Sequence, residues 1–234
     1  MTPIVENQFN LANYWSHGDA LSHAIAYVLL AMSLASWFLI LSKTWAAWRV
    51  RRSSAAVDAF WDAPTMNDAI ASLTLADPER LYAPLAAHGA THLARAGGKP
   101  SATLGGEMDP SEQITRVLRL AIHRATQKLE SGLTVLASIG STAPFIGLLG
   151  TVWGIYHALS TVSTAGGVQI DKVAGPVGEA LIMTGCGLIV AIPAVLAYNG
   201  LNRVNRLTLA ELDAFAHDLH AYLTTGTRLR AVAA

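Results

Sequence analysis

The chain has 234 residues, of which 52% are hydrophobic and only 14% charged, against about 25% charged in an ordinary soluble domain. Its 16 Lys and Arg balance 16 Asp and Glu, which excludes the basic excess of a nucleic-acid binder and the high net charge of a disordered chain. One cysteine, Cys186, excludes an intrachain disulfide framework and a multi-cysteine zinc site.

The placement of charge organises the chain. Residues 1–20 carry no Lys or Arg, only Glu6 and Asp19. This segment is expected outside the membrane, and it lacks the positive start of a secretory signal. Three stretches hold no formal charge: 23 residues between Asp19 and Lys43, 40 between Glu130 and Asp171, and 23 between Glu179 and Arg203. A bilayer core needs roughly 20 apolar helical residues. Three transmembrane helices are therefore predicted, over 21–42, 131–159 and 175–202. Three such gaps in so short a chain favour membrane spans over a soluble helical core.

Residues 43–130 hold 20 of the 32 charges and are read as a helical cytoplasmic domain. Lys43, Arg49, Arg51 and Arg52 follow the first span, Arg116, Arg119, Arg124 and Lys128 precede the second, and Arg203 and Arg206 follow the third. The excess of cations at these ends places the C-terminus inside, by the positive-inside rule. Pro64, Asp77-Pro78 and Pro84 are predicted to interrupt helices, and residues 97–106 to form a linker. Asp109-Pro110-Ser111-Glu112 reads as a helix start. Ile114, Val117, Leu118, Ala121, Ile122, Ala125 and Leu129 then form one stripe. Nothing after Ser111 reads as a stop, so one helix of about 75 Å is predicted from 110 to 159. Residues 160–174 are expected as an outer loop and the start of the third helix. Residues 203–234 are expected as a cytoplasmic helix and tail, with Leu212, Phe215, Leu219 and Tyr222 on a stripe. Two long striped helices need packing partners. Residues 53–96 and further copies of the chain are the candidates.

Spans two and three are rich in small residues. Gly147, Gly150 and Gly154, then Gly185 and Gly187, suit close helix packing in lipid. Span one is bulky, with Trp37, Phe38, Leu39 and Ile40, and suits the outside of a bundle. Glu179 is the one acid at membrane depth. The residues alone leave two readings. Either Pro176 is a helix start that puts Glu179 in a dipole-stabilised first turn, or Glu179 is a proton-binding carboxyl facing a bundle interior. Thr151 and Thr184 are candidate polar neighbours, or hydroxyls bonded to their own preceding turns. His157 reads as an interfacial hydrogen-bonding residue and Cys186 as a packing residue. His88 with His92, and His217 with His220, lack a third metal ligand. No nucleotide loop or nucleophile elbow is present. No enzyme, cofactor or metal is expected; a protein that moves something without hydrolysing ATP must use another source, and the membrane potential supplies about 2.3 kcal/mol per charge per 100 mV.

The run from Ile139 to Ile155 (IGSTAPFIGLLGTVWGI) resembles the second-span motif of the ExbB/TolQ family, related to the flagellar stator protein MotA. Ala174 to Thr184 (AGPVGEALIMT) is similar to that family's third-span motif, and Gly187-Leu188, Ala191 to Val195 and Tyr198-Asn199 continue it. Val177 stands where Ile is usual, and Met183 to Cys186 replace an Ala-rich run. The resemblance implies an all-α integral membrane protein with three spans and a helical cytoplasmic domain, pentameric around a central pore. It implies a proton-motive-force-driven subunit of the bacterial inner membrane. Its partners would be a dimer of ExbD-like single-span subunits inside the pore and a TonB-like protein, powering import of iron-siderophores and vitamin B12. It places the pore and proton-pathway roles on Glu179, Thr151 and Thr184. A TolQ-type role in outer-membrane integrity is the alternative within the same class, and a membrane scaffold without ion passage is the alternative outside it.

Overall fold

The computed structural model describes residues 19–96, 109–164 and 170–227. The predicted linker at 97–106 lies outside these residues. Six helices follow in order: α1 (Ala20–Trp61), α2 (Met66–Ala76), α3 (Ala83–Ala96), α4 (Pro110–Glu130), α5 (Leu133–Thr164) and α6 (Ile170–Thr225). No strand occurs among the described residues. Three helical runs, Ala20–Trp61, Ser111–Ser160 and Ala180–Thr225, contain stretches long and apolar enough to cross a membrane.

The chain forms two compact units. The first combines residues up to Leu41 with Gly132–Gly200, and the second combines Ser42–Ser131 with the residues from Leu201 onward. Helices α1 and α6 contribute to both.

The second unit has a conventional apolar core. Ile114, Leu118, Ala121 and Ala125 of the α4 stripe are buried, as are Leu212, Phe215 and Leu219 of α6. Val117, Ile122 and Leu129 are half-buried at its edge. Phe60 and Tyr82 meet Phe215 edge-on, with ring centroids 5.3 and 5.8 Å apart. Such tilted pairs align the positive edge of one ring with the negative face of the next. Residues 53–96 thus supply the intrachain packing partner for both stripes. Helix α3 lies close on α6, where a Cβ on Gly89 would come 2.7 Å from Leu223 Cδ1.

The turn from Asp77 to Leu81 ties helices of this unit to one another. Asp77 is 1% exposed. Its Oδ2 accepts from the main-chain N–H of Tyr82 at 2.7 Å and of Ala83 at 3.0 Å. Those donors open α3 and have no intrahelical partner. Glu79 pairs with Arg49 and Lys128, and Lys128 also donates to the Glu79 carbonyl. Pro84 does not break a helix as predicted. It sits in the first turn of α3, where its missing N–H leaves no bond unmade.

Two further expectations are corrected. The single helix from 110 to 159 is two helices, because Ser131 and Gly132 form a turn with Gly132 at φ +81°. The left-handed conformation suits glycine and ends α4. The helix start predicted at Asp109-Pro110 is where α4 begins, although the Asp109 side chain makes no capping bond. Helix α6 starts at Ile170, so Pro176 lies inside it and opens nothing.

Candidate functional site

The first unit is built on close contact between α5 and α6, which run antiparallel. A Cβ on Gly147 would lie 2.7 Å from the Met183 carbonyl oxygen, 3.1 Å from Thr184 Cα and 3.2 Å from Gly187 Cα. A Cβ on Gly187 would lie 2.6 Å from the Ala143 carbonyl oxygen and 3.1 Å from Gly147 Cα. Gly150 faces Met183, and Gly154 faces Ala180, whose Cβ would be 2.8 Å away. At the other end a Cβ on Gly140 would collide with Val195 Cγ2. The contacts form a ladder: each step forward along α5 is matched by a step back along α6. In lipid, helices gain nothing from excluding water, so adhesion comes from backbones brought close enough for dispersion contact.

Four of the five predicted glycines, Gly147, Gly150, Gly154 and Gly187, lie on this ladder. Gly185 does not, since a Cβ there would meet nothing within 4 Å. It lies two residues from Gly187, about 200° around the helix. Gly140 and Ala143 also belong to the ladder; both lie within the Ile139 to Ile155 run but are not among the residues singled out for packing. Helix α1 joins the unit through Ile25, which lies 3.4 Å from the place of a Gly150 Cβ. The buried residues Ile25, Leu29 and Ser36 of α1 recur at spacings of 4 and 7, while Leu30, Leu34, Trp37 and Phe38 are exposed.

Glu179 is the tenth residue of α6, two turns beyond the end where the helix dipole acts. The first-turn reading of this acid therefore has no basis. Its side chain lies outside those described. Glu179 precedes Ala180, which faces Gly154, and so occupies a position rotated about 100° from the α5 contact. Thr151 is 5% exposed and its hydroxyl donates to the Leu148 carbonyl at 2.7 Å. Thr184 is half-buried, with its Cα against Gly147. Cys186 is half-buried with a free thiol. His157 Nδ1 lies 3.1 Å from Asp19 Oδ2, a pairing between α5 and the start of α1 that local spacing does not reveal. Of the two histidine pairs, the His92 side chain lies outside those described, and His220 Nε2 lies 3.2 Å from Ser111 Oγ. No group of three or more metal-ligating side chains occurs among the described residues.

Three apolar helices, a glycine-faced antiparallel pair and Glu179, next to the α6 residue that faces Gly154, are the features to set beside known proteins. Residues 86–214 match the family model described as the MotA/TolQ/ExbB proton channel family. The chain belongs to that family. It is a family of proton channels and not of enzymes. Among its relatives, the biopolymer transport protein ExbB of Xanthomonas campestris pv. campestris is 47% identical over 220 residues, covering 92% of this chain and 87% of that protein. ExbB of Neisseria meningitidis is 39% identical over 216 residues, covering 92% and 97%. The Tol-Pal system protein TolQ of Pseudomonas aeruginosa is 31% identical over 233 residues, covering 95% and 96%. The match to the family includes α4, α5, most of α6 and every predicted site residue.

Proposed function

We propose that this chain is the proton-channel and motor subunit of a TonB–ExbB–ExbD-type system in the bacterial inner membrane. In this reading its N-terminus is periplasmic and its C-terminus cytoplasmic. Five copies surround a pore faced by α5 and α6, with α1 outside. The pore holds a dimer of ExbD-like single-span subunits, and the proton-motive force is passed to a TonB-like protein that powers import of iron-siderophores and vitamin B12. The observation that carries the reading is the 47% identity to an ExbB across nine-tenths of the chain. The exposed bulky face of α1 supports its outer place, and the α5–α6 ladder supports a pore wall made of one paired unit per copy.

Glu179 supplies pore polarity or a step of the proton path, with an acid of the partner as main carrier. Thr151 and Thr184 supply hydroxyls along the same wall. Replacing Glu179 with Gln or Ala should abolish siderophore-dependent growth while the complex still assembles. Normal growth with normal assembly would refute the role. The TolQ-type alternative draws on a relative at 31% identity. Expression in a strain lacking its TolQ tests it, since restored detergent resistance there, without restored siderophore uptake in a strain lacking ExbB, would replace the proposal.

A further inference from the structure

The end of α1 beyond its apolar stretch carries a surface that the proton reading does not use. Four cations, Lys43, Arg49, Arg51 and Arg52, occur within ten residues, and the next acid along the helix is Asp58. Lys43 and Arg49 are engaged elsewhere. Lys43 donates to Ser131 Oγ at 2.8 Å and to the Lys128 carbonyl, and Arg49 pairs with Glu79. Arg52 is placed differently: its guanidinium lies 3.7 Å above the ring centroid of Trp48. Trp48 in turn lies 5.7 Å from Trp45. Both indoles are exposed, at 47% and 62%. Trp45, Trp48 and Arg52 are separated by 3 and 4 residues and so share one face. Leu34, Phe38 and Leu41, all exposed, precede them at spacings of 4, 3 and 4.

Two exposed tryptophans at the end of a lipid-length apolar helix sit at headgroup depth. Stacking on Trp48 occupies a face of the Arg52 guanidinium, while its N–H donors radiate in the guanidinium plane. That plane is left to meet a phosphate, which an arginine fork matches with two parallel bonds. The indole holds the fork in place and reduces the entropy lost on binding.

We propose that Trp45, Trp48 and Arg52 form a binding site for one anionic phospholipid, with the phosphate on the Arg52 fork and the glycerol and upper acyl chains against the two indoles. The charge favours an anionic lipid over a zwitterionic one, whose own cation would approach this cationic segment. The site depends on α1 crossing the membrane and not on the proton-channel reading.

The test is tryptophan quenching of the full-length protein in liposomes containing brominated phosphatidylglycerol or brominated phosphatidylcholine. The Trp48 contribution is isolated by subtracting the signal of Trp48→Phe. The wild-type protein should favour phosphatidylglycerol by about five-fold at this site, the factor that one cation contributes at an anionic surface. Arg52→Gln should bring the ratio to about one, while Arg116→Gln on α4 should leave it unchanged. Arg52→Lys, which keeps charge but loses the planar fork, should give an intermediate ratio even where Arg52→Gln folds poorly. A wild-type ratio of one, or a preference unaltered in Arg52→Gln and Arg52→Lys, would overturn the proposal. So would absence of quenching by either lipid in the wild type, which would mean that another polypeptide covers this face.

Discussion

The α5–α6 ladder makes a quantitative prediction at Gly147. In Gly147→Ala the new Cβ would lie 2.7 Å from the Met183 carbonyl oxygen and 3.1 Å from Thr184 Cα. Both neighbours are backbone atoms, so no rotamer change relieves the overlap. Restoring an ordinary contact near 3.4 Å requires α6 to retreat by about 0.7 Å, and a gap of that size forfeits roughly a quarter to a half of each dispersion contact it opens. Overpacking of this kind costs about 1–3 kcal/mol. Alanine also gains about 1 kcal/mol of helix propensity over glycine. Gly185→Ala gains the same propensity term and meets open space. The difference between the two variants therefore isolates the overlap, at about 1–3 kcal/mol.

Equilibrium unfolding in detergent micelles would measure it, with molecular size recorded on the same samples so that a subunit contact at Gly185 is read separately from packing within the chain. Gly187→Ala should resemble Gly147→Ala, with its Cβ 2.6 Å from the Ala143 carbonyl oxygen. The double variant should cost less than the two together, because one retreat of α6 relieves both overlaps. Equal stability of Gly147→Ala and Gly185→Ala would refute the backbone-contact account.

Three further outcomes are expected. Asp77→Ala strips the acceptor from two buried N–H groups and should lower stability by about 1–3 kcal/mol, whereas Asp77→Asn keeps an acceptor oxygen and should cost less; thermal unfolding of both variants tests this. Burial, and then the charge and hydrogen bond of Glu211 and the charge of Asp77, hold the Tyr82 hydroxyl above the usual phenol range. The folded value exceeds the unfolded one, so stability is intact below about pH 10 and falls as pH rises further; Tyr82→Phe should flatten that alkaline fall in unfolding midpoints. Thr151→Val combined with Thr184→Val should leave unfolding within about 1.5 kcal/mol of wild type yet impair siderophore-dependent growth, and unchanged growth would return both threonines to a packing role.

The three spans were legible because charge is absent from lipid-length stretches and little else produces such gaps. The α4 and α6 stripes were legible because a helix repeats its buried face every three to four residues. What local spacing does not carry is the partner. Gly185 and Gly187 look alike in sequence, and only the position of α5 separates the packed one from the open one. Glu79 reads as one surface acid among many, yet it joins Arg49 and Lys128 from 30 and 49 residues away. The break at Gly132 did carry a signal: a glycine two residues after Glu130, at the end of a polar helix, is a common stop. The uncharged run that follows masks it, because hydropathy has no term for backbone conformation. Asp77-Pro78 is visible as an interruption, but the burial of Asp77 depends on Leu81 and Tyr82 entering a core that non-neighbouring helices complete.

The ladder also bears on why glycines, and not larger apolar residues, face one another beside the candidate proton site. With Gly150 opposite Met183 and Gly154 opposite Ala180, the register fixes which turns of α5 and α6 stand level. Thr151 then stands level with the turn from Ala180 to Met183. Glu179 and Thr184 bracket that turn, five residues or about 7.5 Å apart along the axis. A slip of one turn would move Glu179 by about 5.4 Å relative to Thr151 and take it out of this band. Larger side chains at Gly147 and Gly187 would hold the helices apart and let neighbouring registers compete. Backbone-to-backbone contact is steep in distance, so it selects one register sharply. In the proposed function, the glycines thereby set the height of the acid and the two hydroxyls without contributing a polar atom of their own.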